Sequence, residues 1–198
     1  TTGSHNAGFG GSNLSANTTG SNNTGIGAYA LNKATTADNN TALGYNSLFN
    51  NTTGGNNTAI GRRALEDNTT ASYNVAVGQG AMEQNTTGHS NSVVGNAALQ
   101  TNTAGNYNVA VGRNALQTST ASNNTAVGND ALKVNTTGAN NVAIGINALD
   151  ANTEGDYNNA IGAFALDANT TGNDNVAIGG AALDANTTGS YNAAIGKN

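Results

Sequence analysis

The chain of 198 residues contains no Cys, no Pro and no Trp, and only 9% of it is charged. Without Cys there are no disulfides and no thiolate metal sites, a composition that suits an extracellular protein. Six Lys and Arg set against eleven Asp and Glu cannot form the basic footprint that nucleic acid requires. No run of about 18 apolar residues is present, so no membrane insertion is expected. Leu, Ile, Val and Phe supply only 31 residues, a share otherwise seen in disordered chains. Disordered chains, however, are rich in charge and Pro, and this one has little of either. Its bulk is Asn, Gly, Thr and Ala, with 38, 27, 27 and 34 copies, together 126 residues. The composition therefore describes an ordered chain with a thin core.

Repetition explains the bias. A Gly recurs at 10, 27, 44, 61, 78, 95, 112, 128, 145, 162, 179 and 196. Ten of the eleven intervals are 17 residues, and the one from Gly112 to Gly128 is 16, with the gap expected near Ser122. With this Gly at position 5, position 1 is Asn in every unit, from Asn6 to Asn192. Position 4 is always large and apolar, position 9 is Leu except at Met82, and position 13 is always Thr, from Thr1 to Thr187. Positions 3 and 8 are mostly Ala, and position 15 is usually Gly.

A period of 17 is too short for a packed helix pair, which needs roughly 30 to 45 residues. Gly at position 5 and the Asn-Thr-Thr-Gly run would also interrupt a helix in every unit. The expected fold is therefore all-β: a β-solenoid, or β-roll, with one 17-residue coil per repeat and two short strands per coil. The strands are expected at positions 1–5 and 8–14, with corners at 5–7 and 15–17. Residues 1–198 read as a single array of about 11.6 coils. The array opens inside one repeat, at Thr1-Thr2-Gly3, and stops just after Gly196, so it reads as a segment of a longer fibre.

In such a stack, each position sits above its counterpart one coil away. Asn74 and Asn141 at position 1 are expected in an amide ladder. Gly78 and Gly145 at position 5 fit a positive φ or a close backbone approach. Leu99 and Leu149 at position 9 form an apolar file, and Thr103 and Thr153 at position 13 offer a β-branched shape with a hydroxyl. One large apolar residue at position 4 and one at position 9 make a meagre core for each coil. Ala at positions 3 and 8 with Gly at 5 suggests a smooth face for a second backbone, so a homotrimer about a shared axis is expected.

Asn74-Val75-Ala76-Val77-Gly78 and Asn175-Val176-Ala177-Ile178-Gly179 resemble the strands of YadA-like trimeric autotransporter heads. Their usual repeat is shorter, and the Asn-Thr-Thr-Gly corner more closely resembles repeat arrays in phage-type tail fibre proteins and bacterial surface proteins. The resemblance spans the whole chain. It implies a left-handed, trimeric roll, a place on a cell surface or virion, a role in adhesion or fibre formation, and no catalysis.

The residues agree in offering no catalytic, cofactor or metal constellation. His5 and His89 occupy corners five repeats apart, and no Ser has a base nearby in the repeat. Asp150, Asp167 and Asp184 form a file at position 10 that reads, with the other acidic residues, as a solvated face. The Gly-rich segments lack the Lys-Ser/Thr ending of a phosphate loop. Thirteen Asn-x-Ser/Thr triplets, such as those at Asn17, Asn68 and Asn186, follow from the repeat itself. An ice-binding face needs paired Thr ranks on one side. Here the Thr residues are adjacent, so they point to opposite sides, and position 14 is broken at Ala104, Ala121 and Glu154. One feature suits a surface glycan: Tyr29, Tyr45, Phe49, Arg62 and Arg63 fall on neighbouring corners, where aromatic rings and guanidinium groups can stack and hydrogen-bond.

Overall fold

Alternation in a Thr/Val-Ala-Ile/Val triplet sends its middle residue to one side of a strand and its neighbours to the other. The computed structural model describes residues 2–197 and shows a three-residue strand of this kind in every coil, with a small residue or Val93 in the middle. Twelve three-residue strands run from β1 (Ala7–Phe9) to β12 (Ala193–Ile195). They form one parallel sheet in sequence order. The register is position on position: Thr58 pairs with Val75, Ala59 with Ala76 and Ile60 with Val77. The result is an all-β parallel solenoid with one coil per repeat, roughly 53 Å along the stack. Thr1, expected to open the file at position 13, lies outside the described residues.

Each coil has one strand, not two. Positions 8–14 form no strand, because the residue at position 9, Leu or Met82, has φ of 47–54° in every coil. That left-handed conformation breaks any extended run through the segment. Position 7 is left-handed as well, as at Tyr29 and Phe164. Between them, the position-8 N–H donates back to the position-5 carbonyl, as from Ala115 to Gly112 at 3.4 Å. Ladder bonds nevertheless continue around the coil, as from Leu149 to Ala165 at 3.0 Å and from Thr153 to Thr170 at 2.9 Å. A left-handed Leu costs about 1 kcal/mol. Its fully buried side chain, as at Leu99 and Leu149, keeps it there.

The shorter seventh coil keeps its strand in register, Val109 opposite Thr125. The Asn108 Nδ2 amide donates to the Ala121 carbonyl at 2.9 Å, a bond that other coils make to position 15. Ser122 Oγ accepts from the Asn106 N–H at 3.0 Å, which places it at position 16. The missing residue is thus position 14, and Ala121 occupies 15 rather than breaking the Thr rank at 14.

The interior is narrow and half polar. Ala at 3, Ala at 8 and Leu at 9 are buried together with Asn at 1 and Asn at 12. The expected small-residue face for a second chain is therefore the inside of the coil: Ala143 and Ala148 are fully buried by their own chain. The large apolar residue at position 4 is not in the core. Its side chain points outward, and Val94 and Ile144 are 44% and 39% exposed.

Two Asn ladders replace the missing hydrocarbon. At position 1, the Asn158 N–H donates to Asn141 Oδ1 at 2.8 Å, and Asn158 Nδ2 crosses the coil to the Gly172 carbonyl at 2.8 Å. The same pair of bonds recurs at Asn91, to Asn74 Oδ1 at 3.0 Å and the Gly105 carbonyl at 3.0 Å. The second ladder, at position 12, was not singled out in the sequence, although the residue is Asn in all coils except those of Ala34 and Ser119. Asn152 Nδ2 donates to Asn135 Oδ1 at 2.9 Å and to the Gly155 carbonyl at 3.0 Å.

Position 5 meets both reasons given for Gly. Its φ lies between 125° and 149°. A Cβ on Gly145 would stand 2.6 Å from the carbonyl carbon of Gly162. The backbone that approaches is the next coil of the same chain, not a second chain. At position 13, Thr153 Oγ1 donates to the Thr170 carbonyl at 3.1 Å, and the Thr86 hydroxyl donates to Thr103 in the same way at 2.8 Å.

Candidate functional site

The outside of the coil divides into two sides. Every large apolar side chain that is markedly exposed falls at position 17, 2, 4, 6 or 7, on the strand or the corners that flank it. The opposite side, positions 10–16, carries Thr, Asn, Gln and most of the carboxylates. Positions 2 and 4 hold no charged residue in any of the twelve strands. The strand side is therefore an uncharged ribbon with an unbroken file of large apolar residues at position 4, from Phe9 to Ile195.

The corner after the strand brings together the expected aromatic residues. The Tyr29 ring meets Tyr45 edge-on at 6.0 Å and Phe49 at 6.3 Å, while Lys33 Nζ lies 4.9 Å from the Phe49 ring centre. Two expected members stand apart from that group chemically. Arg63 is taken by carboxylates: its Nε pairs with Glu66 and its Nη2 with Glu83 at 2.9 Å. The Glu66 hydrogen bond is the chief cause of the guanidinium pKa being raised. Arg62 is exposed and forms no ion pair among the described residues. Glu66 itself is buried, contrary to the expected outward carboxylates, because Arg63 and the Asn46 amide at 2.8 Å both reach it.

The carboxylates at position 10 are only partly solvated. Burial raises the Asp167 pKa, and the Asp184 charge in the next coil adds to it. Burial raises that of Asp150 too, with Lys133 opposing and Asp167 and Asp130 contributing. Asp130, at position 7 beside this file, goes the other way. Burial pushes it up, but the Asn114 amide bond at 2.8 Å and the nearby Lys133 charge more than offset that. Among the described residues, no group of three or more His, Asp or Glu side chains is placed to hold a metal ion, and no cavity is present.

His89 is a corner residue whose ring meets Tyr107 edge-on at 5.1 Å. Several glycosylation triplets have a buried acceptor: Asn68, Asn85 and Asn169 are fully enclosed in the position-12 ladder. The burial of these amides could not be read from the triplets, only from the Asn periodicity at position 12.

The fold and surface define a parallel β-solenoid repeat protein with one apolar side. No family model matches the chain, and neither the curated proteins nor the solved structures contain a match to it.

Proposed function

We propose that this chain is a structural shaft: a segment of a phage-type tail fibre or bacterial surface adhesin that holds a binding tip away from a virion or cell. Three copies associate through the strand side, and the protein works outside the cell as a rigid spacer. The observation that carries this reading is the uncharged strand face, with its unbroken apolar file at position 4 beside Thr, Val and other small residues at position 2. One partner in a standard interface buries about 800 Å², and twelve large side chains, many close to two-fifths exposed, reach that order. Contiguous apolar surface of this extent marks an interaction face. Its constant register along the rod suits copies lying side by side and parallel.

The test uses the absence of Cys. Val94→Cys lies in the sixth strand and Ile178→Cys in the eleventh. In a parallel, in-register assembly a short bis-maleimide links both variants between chains. In an antiparallel one, strand eleven faces the opposite end and Ile178→Cys is not linked. Sedimentation equilibrium is expected to give three times the chain mass of 19.5 kDa. A folded monomer at all concentrations overturns the reading.

A further inference from the structure

The corner before the strand has a second pattern, distinct from the Tyr29 cluster. Position 17 is His5, Asn22, Asn39 and Asn56 in the first coils, and then Tyr73, Ser90, Tyr107, Asn123, Asn140, Tyr157, Asp174 and Tyr191. The four tyrosines are 56–82% exposed, more open than the interior members of the apolar ribbon. Each is held at φ of 57–64°, and the backbone is pinned by ladder bonds such as Tyr157 N–H to the Ala139 carbonyl at 3.1 Å. The rings are therefore presented at one corner of a rigid stack, separated by two, three and two coils. That is roughly 10, 14 and 10 Å.

At position 17 only short polar side chains lie between them, and at position 16 the His89 ring packs edge-on against Tyr107 at 5.1 Å. The oxygens at position 16 are used internally: Asp156 Oδ1 accepts from the Ala139 N–H at 2.7 Å and Asn173 Oδ1 from the Asp156 N–H at 2.7 Å. No Lys or Arg occupies position 16 or 17 in any coil, so the corner offers nothing to a phosphate, sulfate or uronate. An amphipathic ring with no neighbouring cation suits a neutral ligand that has apolar faces and hydroxyl edges.

We infer that the position-17 corner from Tyr73 to Tyr191 is a binding track for an extended neutral polysaccharide of β-1,4-linked hexoses. Such a chain advances by nearly one coil height per sugar, so a single strand laid along the rod presents a pyranose face to each tyrosine in turn. Asn123, Asn140 and Asp174 lie beneath the intervening sugars and reach the equatorial hydroxyls along the edges of the sugar ribbon. The Tyr29, Tyr45 and Phe49 rings are confined to two adjacent coils and packed on one another, so they form no row along the rod. The track stands on a different observation from the shaft reading and does not require it.

The test measures binding of cellohexaose and chitohexaose by titration calorimetry, and co-sedimentation with microcrystalline cellulose and β-chitin. One of these neutral glycans is expected to bind the unaltered chain. In Tyr107→Ala/Tyr157→Ala its affinity is expected to fall about tenfold, with circular dichroism and sedimentation mass unchanged. Tyr107→Phe/Tyr157→Phe, which keeps the rings, is expected to retain most of the affinity, whereas Tyr29→Ala/Tyr45→Ala changes nothing. No binding to any of the four probes overturns the inference, as does full binding by the double Ala variant. A changed sedimentation mass in that variant also overturns it, since it assigns the tyrosines to contacts between copies. The shaft reading fails separately, through the mass of the unaltered chain.

Discussion

The Asn158 backbone N–H donates to the side-chain Oδ1 of Asn141, one coil earlier, at 2.8 Å. The link recurs along the described array, and in each coil the same side chain also ties position 1 to the carbonyl at position 15. A buried amide is suited to this because it is donor and acceptor at once. Asn141→Ala strands the Asn158 N–H in the interior, whereas the Gly155 carbonyl keeps its bond from Asn152 Nδ2 at 3.0 Å. The expected loss is about 1–3 kcal/mol from the one orphaned group, seen as a lower urea midpoint. Thr153→Val removes one hydroxyl bond at a partly exposed site and is expected to cost about 1 kcal/mol or less.

The two Gly files are expected to differ in tolerance. Gly145→Ala meets both a positive φ and backbone of the next coil, with Gly162 O at 2.5 Å and Ala163 N at 2.9 Å from the new Cβ. Neither obstacle can move alone, so this variant is expected to lose ordered structure around its coil by hydrogen exchange. Gly138→Ala at position 15 is milder, since Ala37, Ala71 and Ala121 already stand there. The φ of Gly138 is not in the left-handed region, and the new Cβ meets the Gly155 carbonyl oxygen of the next coil as well as Asn135 Oδ1, the latter at 2.5 Å. Ala37 and Ala121 occur where position 12 has become Ala34 and Ser119. Gly138→Ala combined with Asn135→Ala is therefore expected to cost less than the sum of the two, which a double-mutant cycle measures.

Core and ribbon positions are expected to separate by concentration. Leu99→Ala opens a cavity at a fully buried site and is expected to cost about 2–5 kcal/mol regardless of protein concentration. Val94→Asp places a charge on the exposed ribbon. Its effect on the melting temperature is expected to grow with concentration in the unaltered reference, because only the associated form loses contacts.

The acidic file sets the pH response. Burial and a neighbouring carboxylate raise the pKa values of Asp150 and Asp167 in the folded chain. A raised carboxyl pKa means that the folded state holds more protons than the unfolded one while pH crosses that range. These two groups therefore destabilise the fold as pH rises through the acid range towards 7. Asp130, lowered by Asn114 and Lys133 against its burial, acts in the opposite sense and loses its contribution as pH falls through its depressed value. Asp167→Asn is expected to melt higher at pH 7 than the unaltered chain and to show a flatter profile down to pH 4, measured by circular dichroism.

Periodicity alone determined the parallel solenoid, the coil length, the stacked files and the use of Asn74, Gly78, Leu99 and Thr103 as ladder positions. Parallel stacking puts every residue beside its own counterpart, so a position that must be Asn or Gly for the stack becomes invariant along one chain. Which side of the backbone a residue faces was decided by the tertiary structure. Hydropathy placed Ile144 inside, yet its open surface lies on the ribbon, while Ala143 and Ala148 fill an interior too narrow for anything larger. The left-handed φ of Leu149 replaced the expected second strand with turns, and no propensity of Leu announces that conformation. The partners of Arg63 came from Glu66 three residues on and from Glu83 in the next coil, a pairing set by how corners overlie one another. The repeat thus specified what stacks on what, and the closed path of each coil specified what faces inward.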